Sequence, residues 1–180
     1  MSDRVENVFR PLFGKIAWQV KKGHGSFLTF EFGSPSLIID EPIGPKPGNC
    51  DKLKRLAARR KATLRGEWHL WIFCCDWEIE DHGAQIAHCE SPDTVIAQAT
   101  AFLDGQILVA VSVAPDSSTI FQFDLGGVLK TSPWPEEEAV EQWKLYEPSG
   151  HVFTIDSSAR YSHQPGNSPP EETQHFPLFG

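Results

Sequence analysis

Short runs in which apolar and polar residues alternate recur along this chain and predict β-strands. Ile16, Trp18 and Val20 alternate with polar neighbours, and a turn at 23–25 leads into a second such run at 28–32. A strand with one buried face requires an apolar side chain at every second position. Further strands are predicted at 37–39, 68–75, 84–88, 107–113, 119–125, 128–131, 142–146 and 152–155. The pattern favours antiparallel sheets over a helical fold.

Two helices are predicted between these strands. The sequence Ser-Pro-Asp at 91–93 combines a capping residue with proline at the first helical position, and apolar residues at helical spacing follow it as far as Leu103. A second, basic helix is predicted over 51–61. The stretch 2–13 is interpreted as a short capped helix or a loop.

The two halves of the chain share an order of features that indicates an internal duplication. Four residues of the first half match four of the second at a constant offset of 91: Leu12, Gly14, Ile16 and Val20 against Leu103, Gly105, Ile107 and Val111. With a two-residue difference in the turn, Leu28 is matched with Phe121, and Trp68 is later matched with Trp143. The alternative is that any two hairpins share alternating aromatics and a turn glycine.

The predicted fold class is therefore α+β and mostly antiparallel β. Two similar β meanders form one pseudo-symmetric unit with two inserted helices. A single domain is expected over 1–161, with repeats at about 12–90 and 103–155. Residues 162–180 are rich in proline and are predicted to form an extended tail that Phe176, Leu178 and Phe179 could dock.

Charge is divided unequally along the 180 residues, whose net charge is −8. Residues 1–65 contain 13 lysines and arginines against 6 carboxylates, whereas residues 66–180 contain 3 against 18. Such an asymmetry indicates either a surface that binds a partner or basic and acidic segments that pair with each other within the same molecule.

The sequence contains none of the common catalytic motifs, namely the nucleophile elbow, the phosphate-binding loops and the zinc-protease helix. Whether the protein is an enzyme is left open, with the balance against it, and no cofactor is predicted. The row Asp76, Glu78 and Glu80 resembles the carboxylates of β-rich glycosidases but is also what the solvated side of a strand looks like. His69 is interpreted as a hydrogen-bonded core histidine.

Metal binding is considered because five thiol and imidazole groups lie within sixteen residues: Cys74, Cys75, His82, His88 and Cys89. Their spacing is not that of zinc sites. A two-residue hairpin loop at 82–83 would place Asp76 opposite Cys89 and Trp77 opposite His88, which leaves two ligands on each face. No metal is therefore predicted, and the thiols are expected to be reduced.

Two surfaces are candidates for binding. The acidic one consists of Asp76, Glu78, Glu80, Trp134, Glu136, Glu137, Glu138 and Glu141, and it suits a basic protein partner. The basic alternative consists of Lys52, Arg55, Arg59, Arg60 and Arg65, and it suits nucleic acid, although the acidity of the remaining chain opposes this. The preferred hypothesis is a non-enzymatic protein-binding domain, with a nucleic-acid-binding accessory protein or an enzyme of unrecognised type as alternatives.

The string Leu-x-Gly-x-Ile, followed by Phe-x-apolar-Gly, a leucine and then Trp-x-Leu, extends over most of residues 12–146. It resembles small bacterial β-rich domains of uncharacterised function, some of which are suspected immunity proteins of toxin systems. The resemblance implies an inhibitor of a toxin and provides no catalytic residue. The basic helix and the proline-rich tail depart from it.

The sequence favours a cytoplasmic location without membrane contact. It has no run of 18 apolar residues, and its first 20 residues lack the apolar core of a signal peptide. The oligomeric state is left open.

Overall fold

The computed structural model of the chain describes residues 3–44, 50, 51, 55, 58–134 and 139–179. Within them the protein is mostly antiparallel β with two short α-helices, α1 (Asp3–Phe9) and α2 (Asp93–Leu103). Neither described helix is long and apolar enough to cross a membrane.

The strands are arranged in three sheets. The first half of the chain contains β1 (Ala17–Lys22), β2 (Leu28–Phe32), β3 (Ser36–Asp40), β4 (Lys61–Arg65), β5 (Trp68–Ile72), β6 (Asp76–Asp81) and β7 (Ala84–His88). The second half contains β8 (Leu108–Val113), β9 (Thr119–Phe123), β10 (Gly127–Ser132), β11 (Glu141–Tyr146), β12 (His151–Asp156), β13 (Arg160–Pro165) and β14 (Phe176–Pro177). A seven-stranded sheet has the order β1-β2-β5-β11-β12-β13-β14, a five-stranded sheet has the order β7-β6-β10-β9-β8, and β3 and β4 pair alone.

The inner faces of the two larger sheets form one core. Phe30 of the seven-stranded sheet stacks on Phe123 of the five-stranded sheet with ring centroids 6.2 Å apart. Trp143 is fully buried, and its ring lies 5.8 Å from that of Phe121 and 5.6 Å from that of Phe9 in α1. Its indole N–H donates to Thr119 Oγ1 at 3.0 Å, so its one polar atom is satisfied inside the core.

Each half of the chain contributes to both sheets. β1, β2 and β5 lie in the seven-stranded sheet, and the next hairpin, β6–β7, crosses to the five-stranded sheet. β8, β9 and β10 lie in the five-stranded sheet, and the hairpin β11–β12 crosses the other way. The helices also join distant parts of the chain: α1, at the N-terminus, contacts β8 of the second half, and α2, which precedes β8, contacts β1 of the first half. Neither half therefore has a core of its own.

Four backbone hydrogen bonds join the beginnings of β1 and β8. Gly14 N–H donates to Leu108 O at 3.0 Å, and Gly105 N–H donates to Ala17 O at 2.8 Å; Leu108 N–H and Ala17 N–H donate to Lys15 O and Gln106 O. Both glycines have φ near +90° (87° and 93°), a conformation that residues with a side chain avoid. The two glycines matched in the predicted repeat are thus required where the two sheets meet.

The register of the first hairpin of each half supports part of the predicted repeat. Ala17 pairs with Phe32 and Lys22 with Leu28, and Leu108 pairs with Phe123 and Val113 with Thr119, all at an offset of 91. The register also shifts once in each hairpin, between Trp18 and Lys21 in β1 and between Leu108 and Ala110 in β8.

Two of the predicted matches are wrong. Leu28 corresponds to Thr119 and not to Phe121, because both hairpins have turns of equal length. Trp68 and Trp143 lie in the neighbouring strands β5 and β11 of one sheet, because β11 has crossed into it. They do not occupy equivalent places.

The predicted basic helix over 51–61 is corrected at its C-terminal end. Asp51 and Arg55 have helical backbone, but the chain turns at Ala58 and Arg59, and Lys61 begins β4. β4 pairs with β3 from Ser36 opposite Arg65 to Asp40 opposite Lys61. Pairing with β3 therefore decides the conformation of a segment whose charged sequence resembles a helix.

The C-terminal segment packs more closely than an extended tail would. β13 continues to Pro165, past the predicted boundary at 161, and β14 pairs with its first two residues. Leu178 is buried, and the Phe176 ring lies 5.7 Å from that of Tyr161. The buried carboxylate of Asp156 binds Arg160 at 2.8 Å and lies 3.6 Å from His175 Nδ1, which helps to hold this segment.

Replacing the tryptophan at the centre of the core tests this arrangement. Trp143→Ala should lower the free energy of unfolding by about 3–5 kcal/mol, the cost of removing a fully buried large aromatic side chain. Chemical denaturation followed by circular dichroism measures it. Leu125→Ala removes an exposed side chain and should cost less than about 0.5 kcal/mol. Equal losses in the two variants would contradict the assignment of Trp143 to the core.

Candidate functional site

A row of carboxylates runs along the outer face of the five-stranded sheet. Asp76, Glu78 and Glu80 occupy alternate positions of β6, while Trp77 and Ile79 between them are buried in the core. Because side chains alternate across a strand, the three carboxylates share one face, as the sequence predicts. Together with the neighbouring Glu90 and Trp134, they are called the acidic face below.

One cation contacts this row. β10 pairs with β6 so that Lys130 stands opposite Glu78. The Lys130 ammonium binds the Glu80 carboxylate and lies 3.2 Å from Glu78 Oε1. The hydrogen bond with Glu80 raises the pKa of Lys130, so the lysine stays charged at neutral pH. These two contacts offset part of the negative charge of Glu78 and Glu80. Lys130 makes no such contact with Asp76.

Asp76 orients two neighbouring groups. Its Oδ1 accepts a hydrogen bond from the Trp134 indole N–H at 3.0 Å and a contact from the Cys89 thiol at 3.4 Å. Asp76 is exposed and Trp134 is half-buried. The indole therefore lies on the acidic face, where part of it remains available to a partner, which fits the prediction that groups Trp134 with these carboxylates.

A cleft of about 520 Å³ lies along the acidic face. The residues that line it include three carboxylates and one cation, together with apolar groups: Asp76, Glu78, Glu90, Lys130, Cys89 and Ile120. The cleft therefore combines charged groups with apolar and aromatic surface at its side. That combination suits a ligand with a cation and an apolar group close together.

An extra residue in β7 decides which side chains join the cleft. The hairpin loop at 82–83 is as predicted, with Asp81 opposite Ala84 and Glu80 opposite Gln85. Ile86 is then unpaired, and Ile79 stands opposite Ala87. The bulge moves His88 opposite Glu78, so its predicted position opposite Trp77 is wrong.

The structure divides the rest of the predicted acidic set. Glu141 belongs to β11 in the seven-stranded sheet, where it binds Lys144 and faces a different cleft. It is therefore not part of the acidic face. Glu136, Glu137 and Glu138 lie outside the described residues.

The predicted basic set is only partly described. Arg55, Arg59 and Arg65 are exposed, and Lys52 lies outside the described residues. Arg60 makes a two-pronged ion pair with Glu41 at 2.8–3.0 Å, so part of its charge is compensated within the same segment. Because the helix ends early, these arginines do not form the single helical stripe that the sequence predicts.

The four cysteines differ in exposure: Cys50 is exposed, Cys74 and Cys89 are half-buried, and Cys75 is buried. Burial raises the pKa of Cys75 well above its usual range and also raises that of Cys89. Within the described ranges, no three His, Cys, Asp or Glu side chains are grouped so as to hold a metal ion.

His69 has a buried carboxylate partner that the sequence does not reveal. Its Nδ1 lies 2.8 Å from Glu31 Oε1, and the other oxygen of Glu31 accepts the Gly66 N–H at 2.9 Å. Glu31 is nearly fully buried. The pair joins the beginning of β5 to β2, so His69 is hydrogen-bonded as predicted. The prediction that it lies in the core is wrong, because His69 is half-buried on the face of β5 opposite to that of the buried Leu70.

A second cleft, of about 640 Å³, lies between the outer face of the seven-stranded sheet and the C-terminal segment. Lys144, Tyr146, Gln164 and His175 line it. Gln164 Nε2 donates to Thr173 Oγ1 at 2.8 Å, which binds the segment to the sheet. The groups at this cleft hold the chain's own C-terminal segment in place.

Sequence reasoning misses Lys130, His88 and Glu90 as neighbours of the acidic row. Lys130 alternates with apolar residues in a predicted strand, so its outward direction can be read from the sequence. The sequence does not show that Lys130 faces β6, because β6 and β10 lie far apart in the chain and pair only when it folds.

Thiol reactivity tests these differences in burial. A disulfide reagent reacts with thiols that are accessible and can ionise. At pH 8 the exposed Cys50 should therefore react fastest, and the buried Cys75 should react only after unfolding. Spectroscopic titration of the native and denatured protein measures this. Cys50→Ser should remove the fast phase. A fast phase that persists in Cys50→Ser and disappears in Cys75→Ala would contradict the burial of Cys75.

No protein-family model matches this chain, and neither a curated protein nor a solved structure matches it significantly.

Proposed function

We propose that this protein is a non-enzymatic binding protein whose acidic face binds a basic segment of another protein. It would act as an immunity-like inhibitor does, by occupying a basic surface of its target. The observation that carries the proposal is the cleft along β6, which Asp76 and Glu78 line and beside which Trp134 is held by its hydrogen bond to Asp76.

The distribution of charge supports this proposal. Residues 66–180 contain only three lysines and arginines, and each is already paired with a carboxylate of the same region: Lys130 with Glu78 and Glu80, Lys144 with Glu141, and Arg160 with Asp156. Most of the 18 carboxylates of that region therefore lack a cation from it. Such a surface attracts basic proteins over a distance comparable to the Debye length and repels nucleic acid.

The aromatic group supports a protein ligand over a simple cation. Binding energy at protein interfaces is concentrated in a few aromatic and arginine side chains, whereas charges at the rim act mainly on the rate of encounter. Trp134, held by Asp76, supplies an aromatic group that can contribute binding energy. Glu78 and Glu90 supply the rim charges that act on the rate of encounter.

The proposal includes two points about the whole protein. We place it in the cytoplasm, where exposed thiols such as that of Cys50 stay reduced. We also propose that its halves arose by duplication and form a pseudo-symmetric unit. The common offset of 91 in β1–β2 and β8–β9, and the reciprocal crossing of β6–β7 and β11–β12, support this.

Charge reversal at the acidic face tests the proposed function. The variant Glu78→Lys with Glu90→Lys should slow association with the partner by about tenfold or more and change dissociation much less, because these are rim charges. The partner is first recovered from lysate of the source cells on immobilised protein, identified, purified and then measured by surface plasmon resonance at several salt concentrations.

The matched control is Glu171→Lys with Glu172→Lys, which changes the net charge equally at exposed positions in the C-terminal segment. If both variants slow association equally, the acidic face has no special role. If the protein instead retains DNA or RNA at about 150 mM salt and loses it when Arg55 and Arg59 are replaced by Ala, the nucleic-acid alternative is correct.

A further inference from the structure

Three aromatic side chains form a cluster on the outer face of the seven-stranded sheet. They are Phe27, Trp71 and Phe73, whose ring centroids lie 4.9–6.1 Å apart. Trp71 stands between the buried Leu70 and Ile72 of β5, so it points away from the core. The three residues are half-buried and are called the aromatic platform below. Large aromatic side chains grouped on the outer face of a sheet indicate an interaction site, because packing of the core does not account for them.

Strand pairing connects the aromatic platform with the second cleft. Trp71 stands opposite Lys144 of β11, and Lys144 stands opposite Thr154 of β12. Thr154 in turn stands opposite Ser162 of β13. Paired residues share a face of the sheet and lie about 5 Å apart, so these four form one row across it. The last three line the second cleft, and the Lys144 ammonium lies 5.5 Å from the centre of the Phe73 ring. The platform and the cleft therefore form one continuous surface.

The second cleft offers hydroxyl and amide groups to a ligand. These groups include those of Tyr146, Thr154, Ser162, Gln164 and Thr173. Hydroxyl and amide groups both donate and accept hydrogen bonds. The volume of the cleft, about 640 Å³, lies within the range of sites that bind small molecules. The surface beside the aromatic platform is therefore suited to a ligand that carries several hydroxyl groups.

Charge at the second cleft is compensated within the protein. Among the described residues that line it, the carboxylate and the ammonium group are those of Glu141 and Lys144, and these two bind each other. His175 Nδ1 lies 3.6 Å from the buried carboxylate of Asp156. An anionic ligand would therefore meet a carboxylate beside each cationic group that it approaches. A neutral ligand meets no such repulsion.

The ligand that fits these observations has apolar ring faces, several hydroxyl groups and no net charge. A sugar has this chemistry, because its C–H groups pack against the electron-rich face of an aromatic ring while its hydroxyls form hydrogen bonds. Single-stranded nucleic acid also stacks on aromatic side chains, but it needs cations to neutralise its phosphates. The lysine of the row, Lys144, is already paired with Glu141. The observations therefore favour a sugar.

We propose that this face of the protein binds a neutral oligosaccharide. One sugar ring stacks on the aromatic platform, and the neighbouring rings form hydrogen bonds in the second cleft. The row from Trp71 to Ser162 crosses three strand spacings, about 14 Å at about 4.8 Å each, so more than one sugar ring fits along it. The acidic face lies on the other large sheet, so this site goes beyond the proposed function and leaves that surface accessible to a protein partner.

Glycan binding by the full chain tests the proposal. The protein is screened on an array of neutral and anionic glycans, and the neutral oligosaccharide that binds most strongly is then measured by isothermal titration calorimetry. We expect a dissociation constant on the order of 0.1 mM. It should change by less than about twofold between about 50 and 200 mM salt, because a neutral ligand releases no counterions.

Two substitutions of Trp71 separate stacking from folding. Trp71→Leu keeps an apolar side chain without an aromatic face and should weaken binding about tenfold, whereas Trp71→Phe keeps a ring and should weaken it less than about threefold. Tyr146→Phe removes one hydroxyl from the cleft and should weaken binding about threefold. The matched control is Trp134→Leu, which changes a half-buried tryptophan of the acidic face and should leave the constant unchanged. Circular dichroism should show every variant to be folded.

Three results would overturn the proposal. The first is that no neutral glycan binds. The second is that a glycan binds, but Trp71→Leu weakens the binding no more than Trp134→Leu does. The third is that an RNA of about ten nucleotides binds through Trp71 and dissociates as the salt concentration rises, while no neutral glycan competes with it; the face would then be a nucleic-acid site. None of these results bears on the acidic face, which is tested with the protein partner.

Discussion

The packing of Trp143 between the two sheets holds the rest of the structure together. Its ring contacts α1 through Phe9, the five-stranded sheet through Phe121 and its own sheet through Phe153. An aromatic cluster of this kind combines a large buried apolar area with a preferred edge-to-face geometry. Since the tryptophan enters this position on a hairpin that has crossed from the other half, the core forms only when both halves are in place.

The crossing of hairpins between the two sheets also explains how the acidic face is positioned. β6 crosses into the five-stranded sheet and pairs with β10 on one side and β7 on the other. Burial of Trp77 and Ile79 on the inner face turns Asp76, Glu78 and Glu80 outward, and the pairing brings Lys130 against two of them. The same packing that stabilises the core therefore fixes the spacing of the carboxylates, so the proposed binding surface lies on a strand and not on a loop.

The division of charge has a structural counterpart in the hairpin β3–β4. Much of the positive charge lies in a segment inserted between β2 and β5, and β3 and β4 of this segment pair only with each other. By contrast, β9 and β10 are joined by a short turn at 124–126. An insertion at a turn does not disturb the sheets, which is why it can carry exposed apolar and basic residues that the core would not accommodate.

The sequence alone determines the features that depend on near neighbours. Alternation predicts most strands, the capping residues at 91–93 predict α2, and the offset of 91 predicts the matching register of the hairpins β1–β2 and β8–β9. The charge division and the shared face of Asp76, Glu78 and Glu80 can also be read directly. Each of these follows from the local periodicity of a strand or helix, which pairing partners do not change.

Only the tertiary structure decides which distant segments pair. It exchanges the hairpins between the sheets, so that Trp68 and Trp143 become neighbours on β5 and β11. It makes a strand of residues 61–65, and it introduces the bulge at Ile86 that sets His88 beside Glu78. It also removes Glu141 from the acidic face by placing it in the other sheet. Strand partners and register are chosen by the packing of the whole core over long sequence separations, and no local pattern encodes that choice.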